Sequence, residues 1–204
     1  MAEQQLFRLR VTFKKQGRLA LLSHLEIARA LERAVRRAGL PFAVSQGFSP
    51  HMKIAFGAAL PVGVGGAAEL FDLQLTQYVP ADEVLSALQA ASVEDLMVTA
   101  CEYIESKAAA ASVAYPISTY RVCLSEPIDR LEIPEIIHVV RKKKEKELCV
   151  KDFVVGDIAH KGDTVEFSLE SKPTGSLRPD VLMKACLEGL PVHIVSFERI
   201  AQRA

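Results

Sequence analysis

Several absences narrow the field. The chain has no net formal charge, 25 Lys plus Arg standing against 25 Asp plus Glu, so its total charge points to no polyanionic partner. Its four cysteines, Cys101, Cys123, Cys149 and Cys186, are too widely spaced for any CxxC zinc or iron–sulfur pattern. Each lies in an apolar stretch and reads as a small packed hydrophobe. No run of about 18 apolar residues and no signal-peptide pattern occurs, so a cytoplasmic chain with reduced thiols and no membrane contact is expected. GxSxG, HExxH and paired-carboxylate patterns are missing. The glycines of LPVGVGG (Gly63, Gly65, Gly66) stand without the lysine of a P-loop.

What is present is ordinary globular composition, with 50% hydrophobic and 25% charged residues in 204, enough for one or two domains. The charge is unevenly distributed. Residues 1–60 carry a net +7, residues 61–140 a net −9 and residues 141–204 a net +2. Two readings stand. Either the first third presents a basic surface to phosphates, or the basic and acidic thirds neutralise each other within the protein.

Leu9, Val11 and Phe13 alternate with Arg8, Arg10 and Thr12, which predicts a half-buried strand over residues 6–14. Ser23 followed by Glu26 is a capping box, Leu22 and Ile27 are spaced as a hydrophobic staple, and Gly39 closes the helix between them. Further strands are expected at 41–44, 52–56, 69–76 and 96–104, with a helix at 81–91 and loops at 45–51 and 60–66. The alanine-rich residues 106–116 read as a linker. The second half repeats the order more loosely, with strands at 118–124, 147–158, 164–170 and 193–201 and helices at 134–144 and 179–188. The expected fold is α+β, two tandem ferredoxin-like (β-α-β-β-α-β) lobes at 1–107 and 117–204 with 108–116 between them.

Several features can carry chemistry. Spacings of three and four put Arg29, Arg33 and Arg36 on one helical face with Arg37 beside it, and Lys14, Lys15 and Arg18 lie just before. Guanidinium forks match phosphate oxygens and stack on bases. The alternative is a solvated face with pairs such as Glu26 with Arg29 or Glu32 with Arg36. His24 in the first helical turn and His51 in SQGFSPHMK are candidate general bases, or packing and surface histidines. Ser45, Gln46, Phe48, His51 and Lys53 make a polar, aromatic loop suited either to a ligand or to satisfying its own backbone. The run Arg141–Lys144 with Lys146 is interleaved with Glu145 and Glu147 and reads first as a solvated face. In GSLRPD, Ser176 is a candidate helix cap and Arg178 a neighbour contact.

The pieces KKQGRLALLSHLE, RAVRRAGLP, SQGFSPHMKIAFG and LPVGV, the strand bearing Glu69 and Asp72, and the later GSLRP together resemble the radical SAM-linked family, a domain of unknown function. The resemblance covers essentially the whole chain. One departure is Glu26, where the family pattern implies aspartate; the carboxylate and its capping geometry are kept. The resemblance implies a radical SAM protein as partner. It places the iron–sulfur cluster and SAM in that partner and no cofactor or metal in this chain. With the arginine stripe, it leads to the expectation of an accessory protein that binds RNA, either tRNA or ribosomal RNA, and has no activity of its own. Two alternatives remain. Tandem ferredoxin-like architecture is similar to that of CRISPR-type repeat-processing endoribonucleases, with His24 or His51 as the catalytic group, although FERIAQRA lacks the glycines of their C-terminal loop. The other is a protein-docking subunit without RNA contact.

Overall fold

The computed structural model describes residues 5–141 and 144–204, and the chain divides into two units, Met1–Ala114 and Tyr115–Ala204. Both are built of antiparallel strands with few helices. In the first, β1 (Phe7–Lys15), α1 (His24–Arg37), β2 (Ile54–Phe56), β3 (Gly65–Leu75), α2 (Ala81–Ala91) and β4 (Val98–Tyr103) follow one another, and α3 (Ala111–Ala114) adds a last helical turn. The strands lie in the order β4-β1-β3-β2, each neighbour antiparallel.

Strand alternation decides which side of this sheet each residue faces. Leu9, Val11 and Phe13 of β1 join Phe71, Leu73 and Leu75 of β3 in one core with Ile27, Leu31 and Val35 of α1 and Val84 and Leu88 of α2. The other parity carries charge. Arg10 lies opposite Asp72 in the β1–β3 ladder. The Asp72 carboxylate accepts from Arg10 Nε at 2.8 Å and from Arg8 Nη2 at 2.7 Å. The same two arginines donate to the carbonyls of Ala108 and Ala109, so the alanine-rich segment is fastened to β1.

Helix α1 begins as the sequence indicates. Ser23 Oγ accepts from the Glu26 amide, and Glu26 Oε2 accepts from the Ser23 amide at 2.8 Å and the Ser23 hydroxyl at 2.7 Å. These bonds, the hydroxyl's first, hold the Glu26 carboxyl below its ordinary range. The helix stops at Arg37, and Gly39 follows at φ 66°, a conformation costly for other residues. Replacing Ser23 by alanine is expected to lower stability by about 1 kcal/mol, read as a shift of the urea midpoint at constant slope. No shift would mean that solvent caps the helix equally well.

In the second unit, β5 (Ile117–Leu124), β6 (Ile136–Arg141), β7 (Lys144–Cys149), β8 (Ala159–Lys161), β9 (Thr164–Glu170), α4 (Pro179–Cys186) and β10 (Ile194–Arg203) follow. Strands β10-β5-β9-β8 form one antiparallel array, and β6 pairs with β7 apart from it. Tyr120, Phe167 and Phe197 pack ring against ring in its core. The helix expected over residues 134–144 is corrected by this unit. Four of the five residues in Ile136–Val140 are β-branched and stiff at χ1, and Ile137 is buried between exposed Ile136 and His138, a period of two. The expected strand over 147–158 is broken after Cys149 by a 3-10 turn at Val150–Asp152. Arg178, not Ser176, occupies the N-cap of α4; its side chain makes no capping bond to the helix backbone, and its guanidinium donates instead to the carboxylate of Asp180 in the first turn.

Candidate functional site

A row of exposed positive charge lies on α1. The helix turns its apolar stripe, Ile27, Leu31, Ala34 and Val35, into the core, so spacing alone drives Arg29, Arg33, Arg36 and Arg37 outward, and all four are exposed. Glu26 is occupied by the cap, and none of the four arginines forms an ion pair with a carboxylate among the described residues. The pairs weighed from the sequence, Glu26 with Arg29 and Glu32 with Arg36, are therefore not made as contact ion pairs. Arg36 lies over the Phe42 ring, 4.9 Å from its centroid, a cation–π contact that orients the guanidinium. Arg37 Nη2 donates to the Ala91 carbonyl at 2.5 Å. Arg18, on the 3-10 turn before α1, is exposed as well.

The two lysines at the end of β1 part company. Lys14 is exposed, while Lys15 is 2% exposed and donates to the Val64 carbonyl at 3.1 Å. Adjacent strand residues face opposite sides, and the parity of Lys15 is that of Phe13 and Val11. Lys53 is half-buried on the approach to β2, with its backbone bonded to Ala43 and Gln74.

The loop from Ser45 to His51 closes on itself. The Ser45 amide donates to the His51 carbonyl at 2.8 Å, and the His51 amide donates to Ser45 Oγ at 3.0 Å. Those backbone and hydroxyl groups are thus consumed by the turn. Gln46, Phe48 and the His51 side chain stand outward, and Phe48 is fully exposed. A bare phenyl ring in water gains nothing from its surroundings, and it is the form of side chain on which a base stacks.

His24, the first residue of α1, is elsewhere. Its ring meets Phe56 edge-on, with centroids 5.4 Å apart, at the rim of a cleft lined also by Phe13, Lys15, Ala59 and Glu69. The enclosed space is about 20 Å³, room for roughly one water. His51 does not line this cleft, so the two histidines are not brought together there. Glu69, only 6% exposed, is the residue that the sequence reading passed over as a site. Its signal was its parity, shared with Phe71, Leu73 and Leu75, which makes it a carboxylate at a core-facing position. Its side chain fills the space where a Cβ on Gly66 would lie, and Gly66 is the ladder partner of Lys15.

Burial pushes the thiols of Cys101 and Cys186 up to about 11, so neither is an activated nucleophile at neutral pH. Among the described residues no group of three His, Cys, Asp or Glu side chains is arranged to hold a metal ion. Among them, too, no helix is long and apolar enough to cross a membrane. Of the basic run after β6, Lys142 and Lys143 lie outside the described residues, and Lys146 is exposed.

These features define an α+β protein of antiparallel strands with an arginine-lined helix face. The chain belongs to the bacterial family described as an uncharacterized protein conserved in bacteria (DUF2344), which it matches over residues 8–179. Among curated proteins none matches it.

Proposed function

We propose that this chain is a non-catalytic subunit that holds single-stranded RNA, from tRNA or ribosomal RNA, on the arginine face of α1 and presents it to a radical SAM partner. The observation that carries the reading is the outward set Arg29, Arg33, Arg36 and Arg37, none of them in a contact ion pair with a carboxylate among the described residues. Phe48 supplies an aromatic platform, and base–aromatic stacking is worth about 1–3 kcal/mol per base. The link to a radical SAM protein rests on the motif resemblance, and the iron–sulfur cluster and SAM belong to that partner. The shared strand pattern, β4-β1-β3-β2 and β10-β5-β9-β8, supports reading the units as tandem ferredoxin-like folds, the second with the β6–β7 hairpin in place of its first helix.

A salt titration of filter-retained small RNA tests the reading. Each phosphate contact to a single strand contributes about −0.7 to the slope of log affinity against log salt. Changing all four arginines to alanine should remove two or more units of slope. Absence of binding by the natural protein at near-physiological salt would sink the RNA reading.

A second reading has its own support. Leu21, Leu25 and Val62 are exposed near the same end of α1, and the Gly63 amide bonded to the Ala20 carbonyl holds Val62 close to Leu21. Open apolar side chains flanked by Arg18 and Arg29 suit a protein partner with an acidic rim. Capture of the radical SAM protein that survives nuclease, and is lost on charge reversal at Arg29 and Arg33, would favour docking. The endoribonuclease alternative requires that replacing His24 and His51 abolish turnover while leaving RNA binding intact.

A further inference from the structure

We infer that the groove between α1 and the turn leading into β4 is a seat for one unpaired nucleobase, with the neighbouring phosphates held by Arg33 and Arg37. The inference rests on the RNA reading above and adds to it where a base is placed. The groove is about 270 Å³, over ten times the space in the cleft beside His24. Its floor is Ala30, Leu31 and Ala34, and its far wall is Val93 and Leu96. Alanines one turn apart on α1 leave a flat apolar floor, because a methyl group is all that projects from those positions.

Val93 is exposed although apolar, so its part of the far wall meets water unless something covers it, while Leu96 is buried. Arg33 and Arg37 are four residues apart and stand one above the other on the rim. Arg33 makes no hydrogen bond or ion pair among the described residues. Arg37 spends one donor on the Ala91 carbonyl, a bond that fixes its stem against the wall and leaves its other N–H groups to a ligand. No carboxylate lines the groove, and Ser92 adds a half-buried hydroxyl whose proton goes to the Leu88 carbonyl at 2.7 Å, leaving its oxygen as an acceptor. A slot with apolar faces, cationic forks at the lip and one acceptor suits a flat heteroaromatic ring carrying phosphates. Bases taken out of a stack are held in this way, between apolar side chains. A free anion would use the forks and leave Val93 and the open part of Ala30 wet. An aliphatic side chain would use the faces and leave the forks idle.

The test compares two probes with equal phosphate counts, a short single-stranded RNA and the same backbone carrying abasic sites, by fluorescence anisotropy. The natural protein should bind the base-bearing strand about tenfold more tightly than the abasic one. Ala30→Leu fills the floor with a good helix former, and Val93→Ser removes the apolar wall at an exposed position. Each should erase the tenfold preference while leaving the slope against salt unchanged. Thermal melting of both variants establishes that they fold, and two substitutions on different elements keep the result independent of either one. Equal binding of both probes by the natural protein overturns the base seat and leaves the arginine face standing as a phosphate surface. A preference that survives both substitutions also overturns it, since the bases then rest elsewhere, with Phe48 the next place to look. Failure to bind either probe removes the RNA reading and the base seat together.

Discussion

Asp72→Ala is expected to lower folding stability by about 3–5 kcal/mol, measured as a fall in the urea midpoint. Asp72 is 2% exposed and receives Arg10 Nε and Arg8 Nη2 at once. Both charges lie on the sheet face away from α1, under the segment whose carbonyls they also bond. Removing the carboxylate takes from two partly dehydrated guanidinium groups the anionic acceptor that they share. Breaking a buried pair is costly for that reason, even where the pair itself adds little over well-packed apolar side chains.

The same cluster gives a pH signature. Burial pushes the Asp72 carboxyl up, and hydrogen bonds from Arg10 and then Arg8 outweigh it, leaving the group below its ordinary value. A carboxyl depressed in the folded state contributes stability that is fully present above its unfolded pKa of about 3.9. That contribution is lost as pH falls through the lower folded value. The natural protein should therefore shed this part of its stability below about pH 4, and Asp72→Asn, lacking the titrating group, should not. An Asp72→Ala variant with an unchanged midpoint would mean that water reaches the arginines and the burial is not sustained in solution.

The second large effect is expected in the cleft beside His24. Lys15 and Glu69 carry opposite charges, both are nearly inaccessible, and both line the same small space. Glu69→Ala or Lys15→Ala should each cost about 3–5 kcal/mol, because the remaining charge stays buried. The double change Lys15→Met with Glu69→Leu should recover most of that loss, since apolar side chains of similar volume suit the site. A double-mutant cycle reads the coupling directly. Additive losses would show that the two charges are satisfied independently. Gly66→Ala provides a check from the backbone side. Its methyl group would occupy the space of the Glu69 side chain, so the carboxylate must leave its seat, and the loss should approach that of Glu69→Ala.

These effects have consequences for the functional readings. Neither Asp72 nor Glu69 lies on the arginine face, so under the RNA proposal their variants, where they fold, should keep the salt slope of the natural protein. His24 lines the cleft with Glu69 and Lys15. Loss of function on changing His24 would therefore need to be separated from loss of packing against Phe56.

Helix α1 was legible from sequence nearly to the residue. Its signals are local: the Ser23–Glu26 box, the staple, the apolar stripe and Gly39 all act within two turns, so no distant contact is needed to read them. The outward arginines followed from the same stripe, because burying Ile27, Leu31 and Val35 leaves only one place for Arg29, Arg33 and Arg36. Strands β1 and β3 of the first unit were legible from their period of two. The strand expected at 41–44 is instead reduced to isolated bridges from Phe42 to Leu75 and Val44 to Met52, and of 52–56 only Ile54–Phe56 pairs as a strand. The β6–β7 hairpin was misread because the lysine-rich run after Val140 favours helix, and the β-branched residues before it find their cross-strand partners only in the folded chain. Tertiary structure alone decided three further points. The first is the β1–β3 register, which sets Arg10 opposite Asp72 and separates Lys14 from Lys15. The second is the seat of Glu69 over Gly66, across the ladder from Lys15. The third is the groove along α1, whose far wall arrives from residues about sixty positions later in the chain. Helical patterns are written in neighbours three and four apart, whereas ladders and grooves join residues whose separation no local pattern encodes.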